Sequence, residues 1–160
     1  MPKIKLKLST DSINQALKEV KAYQKKVEKA ADDLVRRLTE QGVSLAQLNA
    51  SYMDIYDTGE LMRGIESQYK GKIGFVVSTA THSIFCEFGT GIVGAQNQHP
   101  EVAIAGWRYD VNEHGQLGWW YIGRDGKSHW TKGMPSRPYM YETAKMLRSM
   151  VVPLAKEVMR

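Results

Sequence analysis

The sequence predicts an α+β domain: a small, mainly antiparallel sheet packed with a long N-terminal helix and a C-terminal helix, carrying an aromatic β-hairpin insertion. Three observations carry this. Apolar residues recur at three- and four-residue spacing from Ile13 through Leu17, Val20, Val27, Ala31 and Leu34 to Leu38, the period of a helix that buries one face. A second such stripe joins Met140, Ala144, Leu147, Val151, Leu154 and Val158. Between them lie short β-branched and aromatic segments divided by glycine-containing turns, which is how hairpins read.

Element by element, Lys3 to Leu8 alternates strictly, with Ile4, Leu6 and Leu8 on one side and three lysines on the other. That is the pattern of a half-buried strand whose lysines blunt a sheet edge. Thr10 or Asp11 then caps a helix running to about Gln41, with Gly42 as its left-handed stop. The helix packs on the sheet or is shared with a neighbouring subunit. Residues 44–64 read as a short helix and a connection. Strands follow at about 64–70 and 73–79, joined by the Lys70-Gly71-Lys72 turn. Residues 82–88 place Ile84, Phe85 and Phe88 on one helical face, stopped by Gly89-Thr90-Gly91. An insertion, about 92–134, reads as turns separating short strands: Trp107 to Val111, then Leu117 to Ile122. Asp125-Gly126 makes a hairpin turn into His129-Trp130-Thr131. Pro138 suits the first turn of the last helix, and Pro153 should kink or end it early.

The chain has 160 residues, 42% of them hydrophobic, with one cysteine. This suits one domain spanning 1–160 with a real core, and excludes disordered and collagen-like classes. No stretch approaches a membrane span, and the lysine-studded N-terminus is not a signal peptide. Cys86 alone allows no internal disulfide, which fits assembly in a reducing cytosol. The net charge is +5, but it is segregated. Residues 1–29 hold eight Lys and three Asp/Glu, residues 30–123 six Lys/Arg and eleven Asp/Glu, and residues 124–160 eight Lys/Arg and three Asp/Glu. Basic ends around an acidic middle suit a surface that pairs with copies of itself.

No cofactor, metal or catalytic site is expected, so the chain reads as a non-enzyme. The best metal set would be His99, Asp110, His114 and His129, with Glu87, but no pair has a recognised ligand spacing. Cys86 beside a histidine could be drawn as a nucleophile. However, Phe85 and Phe88 make it look like a small buried hydrophobe. A metal-dependent hydrolase is therefore only a remote alternative. All four tryptophans fall between Gly89 and Ser136. Trp107, Trp119, Trp120, Tyr121 and Trp130 are candidate interface anchors. A small satellite core inside the insertion is the reading that comes next. Beside Arg124, Lys127 and Lys132 they could also stack nucleic-acid bases.

Three separated motifs resemble one family. Asp57-Thr58-Gly59-Glu60-Leu61-Met62-Arg63-Gly64-Ile65, Phe85-Cys86-Glu87-Phe88-Gly89-Thr90-Gly91 and Gly133-Met134-Pro135-Ser136-Arg137-Pro138-Tyr139-Met140 are similar, in that order, to passages of a tail-component family of tailed bacteriophages. These are the neck, head–tail joining or tail-completion proteins. The resemblance spans about residues 10–160 and implies a structural virion protein that forms a ring at the head–tail junction, assembled in the host cytoplasm. Its implied partners are further copies of itself and neighbouring connector, head-completion, tail-terminator or tail-tube proteins. DNA would pass through the lumen without being read, and no membrane is involved. The motif residues need no active site. Thr58 can cap a turn at Gly59, with Asp57 accepting local N–H bonds, and Gly89 and Gly91 permit positive φ. Glu87 needs a partner, for which Arg137 is the candidate.

Overall fold

The computed structural model describes residues 9–55, 59–109 and 118–159. The α+β class holds: a long N-terminal helix, a C-terminal helix and two separate two-stranded antiparallel sheets. The Lys3–Leu8 strand, the Asp57-Thr58 cap and the metal candidates Asp110 and His114 lie outside the described residues.

Helix α1 (Thr10–Tyr52) starts where Ser9 accepts the Ser12 N–H on its hydroxyl. It has 43 residues and is therefore about 65 Å long. The expected stop at Gly42 is wrong. Gly42 is a buried residue inside the helix, where a Cβ would stand 2.6 Å from Val76 Cγ2 and 3.0 Å from a Leu147 methyl. Glycine is there for close approach of a strand and a second helix, so residues 44–52 continue α1 instead of forming a separate short helix. The actual stop is Asp54, left-handed at φ 52°. The Ile55 N–H reaches the Ala50 carbonyl and the Asp54 N–H the Ser51 carbonyl, a Schellman closure built on an aspartate.

One helical turn, α2 (Glu60–Arg63), leads into β1 (Ile65–Lys70) and β2 (Ile73–Ser78), paired in register from Ile65 opposite Ser78 to Lys70 opposite Ile73. This hairpin lies across α1, with Gly74 against Thr39 and Val76 against Gly42. The core is small and mixes short side chains with branched and aromatic ones. Ala46 and Ala50 of α1 meet Ile55, Leu61, Ile65, Ala80, Cys86 and Tyr139. Among the described residues Tyr139 is the one large side chain buried almost completely.

Helix α3 (Ser83–Phe88) ends at Gly89 as expected. The insertion differs from the sequence reading. It begins with two short helices, α4 (Gly91–Gln96) and α5 (Val102–Ala105), and no strand forms at Trp107 and Arg108. Neither helix carries a side-chain cap. They are held by tertiary contacts that local pattern does not encode: the Val93 N–H bonds the Lys132 carbonyl, and Gly94 sits against the Tyr109 ring. The hairpin β3 (Trp119–Ile122) and β4 (Ser128–Thr131) pairs as expected around Asp125-Gly126. The short β5 (Gly133–Met134) returns to bridge Gly91 and Thr90.

Helix α6 (Tyr139–Val158) lies along α1, tied to it by the Asn49 amide donating to Thr143 at 3.0 Å and by an Arg37–Glu157 ion pair at 2.8 Å. It runs through Pro153 to Val158, so the early end does not occur. Pro153 costs one backbone bond, but beyond it Leu154 is buried and Glu157 is held by α1. No described helix is long and apolar enough to cross a membrane.

Candidate functional site

The second and third motifs meet at the start of α6. The chain entering that helix, Ser136-Arg137-Pro138, offers no capping side chain to its own first turn, where several N–H groups necessarily lack intrahelical partners. Glu87, about fifty residues upstream, supplies the acceptors. Its Oε2 takes the Met140 N–H and its Oε1 the Tyr141 N–H, both at 2.9 Å. A carboxylate at a helix N-terminus also faces the positive end of the helix dipole. The expected Glu87–Arg137 pair is therefore corrected. Arg137 instead donates to the Asp54 carbonyl at 3.2 Å, locking the α1 stop to the α6 entry. The side-chain partner of Glu87 is His99, with Nε2 3.2 Å from Oε1.

His99 is buried, and its Nδ1 accepts the Glu101 N–H at 3.0 Å. Nε2 must then carry the proton and donate it to Glu87. Phe88 lies over one side of the imidazole and Tyr141 meets it edge-on. Both ring nitrogens are spent on the protein, so His99 is a brace and has no lone pair for a metal. From the sequence His99 reads only as a metal candidate. The uncapped Arg137-Pro138 entry was the signal that a remote acceptor, and hence a buried partner for it, was needed.

Backbone bonds complete the junction. The Ser136 hydroxyl donates to the Glu87 carbonyl at 2.6 Å, the Arg137 N–H to the Cys86 carbonyl at 2.9 Å, and the Ser136 N–H to the Asn97 carbonyl at 3.1 Å. Thr90 and Gly91 bridge Met134 and Gly133. The first motif joins through Leu61, buried in the same cluster as Cys86 and Tyr139. Pro135 lies half-buried in the same crossing, and Pro138 stands immediately before α6. Described residues of all three motifs thus form one continuous brace.

Comparison of the chain with protein families, with curated proteins and with solved structures finds no match. The site therefore has to be read from its own chemistry.

The insertion tryptophans divide into two groups. Trp107 is half-buried, stacked on Phe88 with its indole N–H on the Gly89 carbonyl at 3.0 Å. Trp119 is also half-buried and packs against Gly91. Both help hold the brace. Trp120 and Trp130 face each other across the hairpin in an edge-to-face pair and, with Ile122 on the same face, stand 64%, 47% and 70% exposed. Tyr121 is on the opposite face beside His129 and is also exposed. His129 is tied to Asp125 at 2.9 Å. That bond and the Lys127 N–H hold the Asp125 carboxyl below its ordinary range. It favours the hairpin above the usual aspartate range and fades as pH falls through it.

Cys86 is buried, and that burial pushes its thiol up, opposed by Arg137 and reinforced by Glu87. A raised thiol keeps its proton at neutral pH, so its contribution to stability is fully present below about pH 8.5 and is lost as pH rises through the folded value. A thiol reagent at pH 8 should label the native chain at least about 100-fold more slowly than the unfolded chain, because reaction must await opening. Rapid native labelling would instead mark a nucleophile. Among the described residues no group of three or more His, Cys, Asp or Glu is placed to hold a metal ion.

Proposed function

We propose that this chain is a non-catalytic virion structural protein that forms a ring at the head–tail junction of a tailed phage. It would join head and tail and let DNA pass through its lumen. The observation that carries the reading is the brace. Three motifs similar to the tail-component family, far apart in sequence, spend their polar groups on one another: Glu87 on α6, Arg137 on the end of α1, and Thr90 and Gly91 on β5. Such residues build a rigid body, their polar groups engaged with one another.

The surfaces that remain are adhesive. From Thr10 to Lys26 every position of α1 is exposed except Ser12 and Ala16. Ile13, Leu17 and Val20 thus continue an apolar seam along a helix that projects past the end of α6. With the Trp120–Ile122–Trp130 face, this makes two different unsatisfied apolar surfaces on one chain. A closed ring needs contacts of that kind, one patch meeting a different patch on the next copy, and the basic ends and acidic middle suit the same arrangement.

Replacing Trp120 and Trp130 together by Ala should leave the unfolding free energy within about 1 kcal/mol of the parent, because both rings are exposed and pack mainly on each other. Assembly measured by light scattering should weaken at least tenfold, as aromatic anchors dominate interface energy. Unchanged assembly would remove the hairpin from the interface. A nucleic-acid-binding module remains the second reading, favoured by Lys127 and Lys132 near the same rings. It requires DNA affinity that falls steeply with salt.

A further inference from the structure

The β1–β2 hairpin is too narrow for the two helices beneath it. It covers α1, but the apolar face of α6 beside it, Met140, Ala144, Leu147 and Val151, borders an open groove of about 350 Å³ whose other wall is Gly74 and Val76. The Thr79 N–H bonds the Gly64 carbonyl, and 64 and 79 are opposite one another in this register. In an antiparallel ladder bonded and non-bonded pairs alternate. Gly74, Val76 and Ser78 therefore turn their backbone N–H and C=O groups outward, towards this groove. Among the described residues no backbone group pairs with them. Among the described residues the groove is thus a free strand edge running beside an uncovered apolar helix face.

We propose that residues 3–8 of one copy add as a third strand to the β2 edge of a neighbouring copy. The inference rests on the self-assembly proposed above and names one of its contacts. Residues 3–8 match the vacancy in length, six residues against the six of Ile73–Ser78. Their alternation places Ile4, Leu6 and Leu8 on one face to cover α6, while Lys3, Lys5 and Lys7 stay in water and blunt the new edge.

Reach decides between the same chain and another. Gly74 packs on Thr39, thirty residues along α1 from Ser9, which is about 45 Å. Six extended residues span about 20 Å, so the segment cannot return to its own β2. It is carried away on the projecting arm of α1 and can pair only in trans. Donor and acceptor are different surfaces, so the contact is heterologous.

The test uses the full chain and the variant I4K/L6K, which breaks the alternation of residues 3–8. For parent and variant alike, mass is measured by light scattering and amide exchange is read at Gly74 and Val76. The parent should self-associate with both amides slowed at least about tenfold, and the variant should lose both the mass and the protection. If the variant associates like the parent with unchanged exchange, strand addition is wrong while self-assembly stands. Protection in a chain that stays monomeric would mean pairing within the chain and would overturn the proposal. For a chain that is monomeric and unprotected, a synthetic peptide of residues 2–9 is added at millimolar concentration. Slowed exchange at Gly74 and Val76 supports the acceptor edge, and unaltered exchange overturns it.

Discussion

Replacing Glu87 by Ala should destabilise the fold by about 3–5 kcal/mol, because it strips acceptors from two helix N–H groups and from a buried imidazole at once. The carboxylate is buried and all three of its partners are donors: the Met140 and Tyr141 N–H groups and His99 Nε2. None of them finds a replacement when the side chain ends at Cβ. For a chain of this size the loss should lower the melting temperature by about 10–15 °C. Glu87→Gln should cost less, about 2 kcal/mol, since one oxygen is kept but the new NH2 must face a donor. The order Ala worse than Gln worse than parent, measured by chemical denaturation, distinguishes a remote helix cap from a surface carboxylate, for which all three would coincide.

Gly89→Ala should be comparably severe, more than about 3 kcal/mol, for two separate reasons. Its backbone sits at φ 79°, ψ 172°, a region that essentially only glycine occupies and that costs a side chain about 1–3 kcal/mol. A Cβ there would also stand 2.6 Å from the Ser136 nitrogen, 2.8 Å from the Met134 oxygen and 2.9 Å from the Pro135 carbonyl carbon. These are backbone atoms of the third motif, so relief requires the two strands of the brace to part. Trp107, whose indole N–H rests on the Gly89 carbonyl, should report this as a shift in its fluorescence. A variant within about 1 kcal/mol of the parent, with unshifted emission, would show that the crossing is loose.

Much of this fold could be read from the residues because period and turn chemistry agree there. The hairpin of β1 and β2 and the Asp125-Gly126 hairpin follow from alternation around glycine turns. The two long helices follow from their stripes. What failed did so where tertiary contact overrode a local rule. Gly42 looks like a helix stop, yet Val76 and Leu147 need the space of its absent side chain. Asp54 ends the helix instead, in a conformation that only a minority of aspartates adopt. Helices α4 and α5 lack caps and apolar periodicity, so nothing local announced them. At the brace, the sequence marked Glu87 and Arg137 as the residues to watch but paired them with each other. The helix start, with Pro138 lacking an N–H and no capping side chain nearby, asked for a carboxylate more strongly than Arg137 did. The apolar seam on α1 reads first as a face packed on the sheet and only second as one shared with a neighbouring subunit. Exposure of Ile13, Leu17 and Val20 favours the shared reading.

Ring assembly is what the proposed function requires above all. The most direct measurement is the native mass of the purified chain over a wide concentration range, with images of the largest species, alone and mixed with head and tail preassemblies that lack it. A closed ring of fixed copy number, with an open centre and seated where head meets tail, is the expected result. A chain that remains monomeric in every mixture, and that binds duplex or single-stranded DNA tightly at physiological salt, would contradict it.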